Sequence, residues 1–178
     1  AVPLLGKGVA GRNDGSHYPY WSNRRGDGWN NWFYSEMPVG LALAWDQLAA
    51  SPEVAALSRE LGRDVAAGIR GYLRDTANYC RSYPIYMGNM DPSLIRGFAV
   101  IGRVIGEPIL VHDALQRVRL ILEHRFFPDG NWREAAPSYH SQTIVGLRNA
   151  IRDTLSGYSD PSGYHDPETG QRLDHLDP

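Results

Sequence analysis

Four prolines, each at the head of a helical apolar period, constrain this chain more than any other feature: Pro52, Pro92, Pro108 and Pro137. Proline has no N–H to donate and a φ fixed near the helical value. It is therefore at home in the first turn of a helix and disruptive further in. Ser51-Pro52-Glu53 reads as a hydroxyl cap, a proline at the first position and an early acid, and Asp91-Pro92 repeats the cap-plus-proline start. Apolar residues then recur at intervals of three and four. The helix opened by Pro52 is predicted to run to about Tyr79, with Val54, Leu57, Leu61, Val65, Ile69 and Tyr72 on one side. After Pro92 the inward face is Leu94, Phe98, Ile101 and Ile105, closed by Gly106. After Pro108 it is Val111, Leu115, Val118 and Leu122, stopping near Phe127 before the turn Pro128-Asp129-Gly130. After Pro137 it is Ile144, Leu147, Ile151 and Leu155, ending at Gly157. An earlier period over residues 33–49 aligns Met37, Leu41, Ala44 and Leu48, with Pro38 starting or kinking that helix.

About five helices with short connections suit antiparallel neighbours, and no segment alternates as a strand does. The predicted class is all-α, built of antiparallel helical hairpins. They form either a plain bundle or a partial (α/α) toroid, in which paired helices ring a cleft. One domain over residues 1–178 is expected: a Gly-, Asn- and aromatic-rich irregular lead (1–32), a helical core (33–157) and an irregular tail (158–178).

Composition narrows the function. A formal net charge of −2 gives no cationic field for nucleic acid, so an anionic ligand must be met by local Arg and Asn groups. Five Trp and ten Tyr, many beside Gly, Pro and Asn, are more than core filling needs and suit a sugar-lined cleft. Cys80 is the single cysteine, which excludes an intrachain disulfide and a Cys-based zinc site. The histidines lack the i, i+4 spacing of a metal pair, and no metal or cofactor is expected. No apolar stretch approaches a membrane span. Ala1 follows no basic, apolar leader, so a mature or recombinant start is expected, with any signal peptide already removed.

Two loops carry more chemistry than a connection requires. RSYPIYMGNM, residues 81–90, includes Tyr86 and Asn89. FPDGNWREAAPSYH, residues 127–140, includes Asp129, Trp132, Arg133, Glu134, Tyr139 and His140. Both lead into a helix N-terminus, where unpaired N–H groups and the positive dipole end favour an anion. Each residue also has a plainer reading. Tyr139 can pack on the core, Asn89 can close a turn, and His140 can cap a helix. Arg133 can pair with Glu134 or Asp129, and Glu134 can sit in a buried ion pair. Trp29, Trp32 and Trp132 can be lids or sugar platforms.

DGNWREAAPSYH resembles the pattern of heparinase II/III-like polysaccharide lyases, in which an acidic-aromatic loop leads to Pro-Ser-Tyr-His. GNMDPSLIRGFAVIGRVIGEP is similar to the segment of those lyases that carries an active-site Asn before a helix. SGYSDPSGY and GQRLDHLD resemble features downstream of the same toroid helix. The resemblance covers roughly residues 83–178, and residues 30–48 are similar only in style to toroid helices. It implies a secreted or periplasmic enzyme that opens an anionic, uronic-acid-containing polysaccharide by β-elimination. Catalytic roles fall on Tyr139, Asn89 and His140, and substrate contacts on Arg133, Glu134, Trp132, Tyr86 and Trp32. Tyr139 would accept and return the proton, while Asn89 would neutralise the uronate carboxylate. Such lyases are several times longer and add a β-sandwich, so this chain is expected to be a section of a larger enzyme. Two alternatives stand beside this one. The first is an (α/α)-barrel glycoside hydrolase pairing Asp129 or Glu134 with Glu36. The second is a non-catalytic carbohydrate-binding helical domain.

Overall fold

A computed structural model describes residues 37–81, 87–167 and 169–176. Among these residues the chain is all-α: six α-helices, one π-helical turn and no strand. It divides into two compact units, residues 1–83 and 84–178. No described helix is long and apolar enough to cross a membrane.

The first unit contains α1 (Val39–Leu48), α2 (Pro52–Leu61) and α3 (Val65–Arg81). α1 begins directly after Pro38, so that proline starts the helix rather than kinking it. The single helix expected from Pro52 to about Tyr79 is in fact two. Gly62 takes a left-handed φ of 61° and ends α2, with the Arg63 N–H returning to the Ser58 carbonyl at 3.1 Å. The Asp64 carboxylate then accepts the Ala67 N–H at 2.9 Å and caps the start of α3. The continuous apolar period hid a stop signal and a start signal lying two residues apart. Ser51 occupies its expected cap position but makes no side-chain capping bond.

The second unit holds α4 (Asp91–Ile105), α5 (Pro108–His124), α6 (Pro137–Ala150) and the π-helical turn Ile151–Leu155. α4 is its centre. It packs on α5, α6 and the π-helical turn, and its residues from Asp91 to Gly102 are buried except Ser93 and Arg96. Leu94, Phe98 and Ile101 face inward as expected.

Three other faces are rotated from expectation. On α1, Ala42 and Trp45 are buried while Leu41 and Leu48 are exposed. On α5, Leu110, Ala114, Arg117 and Ile121 join Val111 and Val118 inside, and Leu122 is exposed. On α6, Thr143, Leu147 and Ala150 are buried, while Ile144, and Ile151 at the start of the π-helical turn, are exposed. The α6 rotation has a visible cause. A Cβ on Gly146 would lie 2.7 Å from the Pro92 Cβ, so α6 meets the start of α4 through its small residues. The bulky branched side chains are thereby turned outward.

That close approach makes a prediction. Gly146→Ala should lower stability by about 1–3 kcal/mol, because neither the proline ring nor the helix backbone can yield freely. Gly40→Ala, at an exposed helical position with open space around it, should be neutral or stabilising. Urea denaturation of both variants checks the contrast.

Candidate functional site

The second decorated loop folds into a small hairpin between α5 and α6. The Phe127 N–H donates to the Asn131 carbonyl at 2.8 Å, and the Arg133 N–H to the Arg125 carbonyl at 3.0 Å. Phe126 and Trp132 form an isolated antiparallel bridge, and Pro128-Asp129-Gly130 makes the turn. The Asp129 carboxylate accepts both the backbone N–H and the side-chain amide of Asn131, each at 3.0 Å. These bonds hold its carboxyl below the ordinary carboxylate range.

The hairpin register turns Trp132 inward. Its side chain is only 1% exposed and lies edge-on to Phe126, with ring centroids 5.2 Å apart. The expectation that Trp132 offers a platform for a sugar is therefore corrected: a sealed ring has no face to stack on. Its polar edges work locally instead. The indole N–H donates to Glu134 Oε2 at 2.5 Å, and the Trp132 backbone N–H donates to His140 Nδ1 at 3.1 Å. With Nδ1 accepting that bond, the proton of a neutral His140 resides on Nε2. Glu134 is thus the acceptor of an indole rather than a member of an ion pair. Arg133 is exposed and lies 5.7 Å from the Phe127 ring centroid.

Pro137 begins α6, and the first turn carries Tyr139, which is 45% exposed, and the half-buried His140. Asn89, in the turn before α4, comes to this same helix. Its side-chain amide donates to Gln142 Oε1 at 3.5 Å, and Gln142 Nε2 lies 3.6 Å from the Met90 sulfur. Gln142 follows Tyr139 by three residues and so shares its helix face. The structure thus brings Asn89, Tyr139, His140, Arg133 and Glu134 to one end of one unit. Tyr86, Trp32, Trp29 and Glu36 lie outside the described residues.

Both loops are backbone-strained. Met87 and Ala135, with φ of 57° and 55°, are the non-glycine residues at positive φ among the described residues. Each immediately borders the segment that presents a candidate group. Strain held in this way by surrounding structure is a feature of shaped sites.

Sequence reasoning missed two polar clusters. Asp91, at the first position of α4, is 1% exposed, and it does not cap its own helix. Its carboxylate turns back to accept the Gly88 N–H. Burial raises its carboxyl above the ordinary value, and the Gly88 bond and the charges of Arg117 and Arg125 offset this only in part. The pattern Asp-Pro signalled a cap, and nothing in it signalled burial. The second cluster joins residues 48 apart. His112 Nε2 lies 2.8 Å from Asp160 Oδ2, and the Tyr158 hydroxyl donates to the other carboxylate oxygen at 2.8 Å. The Leu176 N–H also donates to Asp160, and the His175 ring meets His112 edge-on at 5.2 Å. This cluster straps the tail to α5. The tail is irregular, as expected, but internally bonded through the His165–Arg172 bridge.

Among the described residues no three His, Cys, Asp or Glu side chains converge as metal ligands. A groove of about 720 Å³ in the first unit is lined by residues such as Ala49, Pro52, Ser58 and Arg63, and by none of the candidate groups. No family model, curated protein or solved structure matches the chain.

The tail strap predicts an acid response. Burial raises the Asp160 carboxyl, but the Leu176 N–H, the Tyr158 hydroxyl and His112 outweigh it and leave it below its ordinary value of 3.8. A carboxyl lowered on folding gives stability that is complete above the unfolded value and is lost as pH falls through the folded one. The segment 158–176 should therefore loosen below about pH 4, read as new protease cleavage within it. Asp160→Asn should show that cleavage already at neutral pH.

Proposed function

We propose that the chain carries part of the active site of a polysaccharide lyase of the heparinase II/III-like kind, acting on a uronic-acid polymer by β-elimination. The observation that carries this reading is the meeting of the Asn89 amide with α6 one turn from the exposed Tyr139 hydroxyl, beside His140. A neutral amide donor and a phenol share an open surface at a helix N-terminus, a place that favours an anionic sugar.

The chemistry follows from those groups. The proton on C5 of a uronate lies next to an ionised carboxylate and is only weakly acidic. A donor on that carboxylate stabilises the charge that builds as the C5–H bond breaks, and Asn89 Nδ2 serves there. Its present bond to Gln142 is long, so exchange for a carboxylate oxygen costs little. Tyr139, as the phenolate, takes the C5 proton. The C4–O bond breaks, a C4–C5 double bond forms, and the departing sugar oxygen takes that same proton from Tyr139, which returns to the phenolate, while the His140 Nε2–H hydrogen-bonds to the departing oxygen. No water is consumed. Arg133, exposed on the hairpin, is free to meet a carboxylate or sulfate. Exposed Ile144 and Val145 on α6, and Ile151 just after it, suit further helices packing there, as a larger toroid requires. Secretion belongs to this same reading through its substrate.

The hydrolase alternative draws no support from Asp129. A general acid needs a raised carboxyl, and the Asn131 bonds lower this one.

Incubation with heparan sulfate, hyaluronan, chondroitin and alginate tests the proposal. An ultraviolet-absorbing unsaturated product is expected from one of them, and new reducing ends without absorbance would instead mark a hydrolase. Tyr139→Phe should abolish elimination while leaving the fold intact, and near-normal turnover would overturn its role. Asn89→Ala should lower kcat by roughly a hundredfold, the loss seen when one charge-stabilising donor is removed.

A further inference from the structure

We propose that Gln142 determines the specificity of the candidate site: its side-chain amide holds the place of the substrate's carboxylate and, displaced by it, turns over to bind it as a second donor beside Asn89. The inference rests on the reading of Asn89 and Tyr139 as a uronate site and deepens it, because it names the residue that distinguishes a free uronate from its ester.

The two amides come from separate elements of one unit. Gln142 stands on α6 one turn after Tyr139, and Asn89 stands in the turn before α4. Asn89 Nδ2–H donates to Gln142 Oε1 at 3.5 Å, and Gln142 Nε2 lies 3.6 Å from the Met90 sulfur. Both partners are weak. An amide bond of that length is at the end of the useful range, and a thioether is a poor acceptor. Gln142 is exposed, so water replaces either partner readily. Nor is the pair needed to hold the helices together, since the close contact of Gly146 with Pro92 already does so.

What the pair does fix is a position. Gln142 Oε1 marks a point opposite Asn89 Nδ2 where a planar, partly negative oxygen is accepted. A uronate carboxylate oxygen has the same sp² shape and more charge, and it takes that point with a stronger, charge-assisted bond. Gln142 then presents an oxygen to an anion. A half-turn of its terminal amide exchanges Oε1 for Nε2, because that torsion is broad and roughly two-fold and the two atoms are nearly alike in size. The loss is the weak contact with Met90, and the gain is a second N–H on the carboxylate. Two neutral donors from two elements then spread the charge that builds during elimination, where Asn89 alone supplies one. A methyl ester lacks that charge and brings a methyl group to the point that one donor needs, so the free acid is preferred.

Two opposed variants of the full chain separate this role from mere support of Asn89. Gln142→Glu keeps an acceptor for Asn89 and has no donor, whereas Gln142→Lys keeps a donor and has no acceptor. On whichever uronan the parent chain opens, Gln142→Glu should raise KM about tenfold or more and Gln142→Lys by less than about twofold. The same order is expected at high salt, which screens a bare surface charge. The reverse order, or a parental KM in Gln142→Glu, would overturn the proposal. So would a KM that rises only in step with a lowered melting temperature, since Gln142 would then be a folding residue.

Oligosaccharides of heparan sulfate, hyaluronan, chondroitin and alginate, each as free acid and as methyl ester, give a second readout that needs no turnover. In the nitrogen-labelled chain carrying Tyr139→Phe, the side-chain amide signals of Asn89 and Gln142 should move together with one of the free acids and stay in place with its ester. Movement of Asn89 alone would overturn the role of Gln142 and leave the lyase reading standing. Joint movement, with no polymer opened by the parent chain, would leave carboxylate recognition standing and overturn the lyase reading. Signals unmoved by every oligosaccharide would overturn both.

Discussion

The burial of Trp132 is the interaction on which the rest of the second unit's organised end depends. A ring this large, 1% exposed, removes roughly its whole apolar surface from water, and its complete truncation costs about 3–5 kcal/mol in comparable cores. The placement does more than fill space. The indole N–H must find an acceptor once it leaves water, and Glu134 supplies one. The backbone N–H faces the same need, and the His140 ring meets it. Two side chains that would otherwise be free to rotate at the surface are thereby fixed by the demand of a buried group for hydrogen bonds. The hairpin register, set by the Asp129-Gly130 turn, decides that Trp132 and not its neighbour Arg133 points inward.

The crossing of α4 and α6 provides the second constraint. Gly146 lets the two helices approach over Pro92, and this brings the turn before α4 against the first turns of α6. Asn89 reaches Gln142 because of that approach. A branched residue at position 146 would hold the helices apart and part the two loops. The same residue that determines packing therefore determines whether the amide and the phenol share a surface. Local strain at Met87 and Ala135 is carried by these contacts, since each loop is anchored on a neighbour rather than on its own turn preference.

What could be read from the sequence divides along the range of the physics involved. Proline's effect is local, so Pro52, Pro92, Pro108 and Pro137 all start helices where expected. Helix faces are not local. Ile144 and Ile151 outrank Thr143 and Gly146 in hydrophobicity, yet the small residues face α4, because close approach over Pro92 excludes a larger side chain. The break at Gly62 was masked by an apolar period that continues in phase across it. Trp132 sits among Gly, Asn and Arg, a context typical of a surface loop. Only the hairpin register, which depends on pairing with Phe126, makes it core. The pairs His112–Asp160 and Asn89–Gln142 join residues 48 and 53 apart and left no mark in local pattern. Candidate groups were therefore legible as residue types in suspicious loops, while their mutual geometry was not.

Asp91 shows how far such a distinction matters for function. From sequence it is one more acidic helix start, interchangeable with the serine at position 51. In the fold it is buried where a serine or asparagine would be better tolerated at neutral pH, and it spends its one bond on the Gly88 amide rather than on its own helix. Stability selects against an ionised carboxylate there. What such a group supplies instead is a held turn: its carboxylate accepts the Gly88 N–H next to Asn89. Catalytic groups on loops depend on supports of this kind, because displacement by about 1 Å can cost two orders of magnitude in rate. Asp91 gives such support to the turn that presents Asn89.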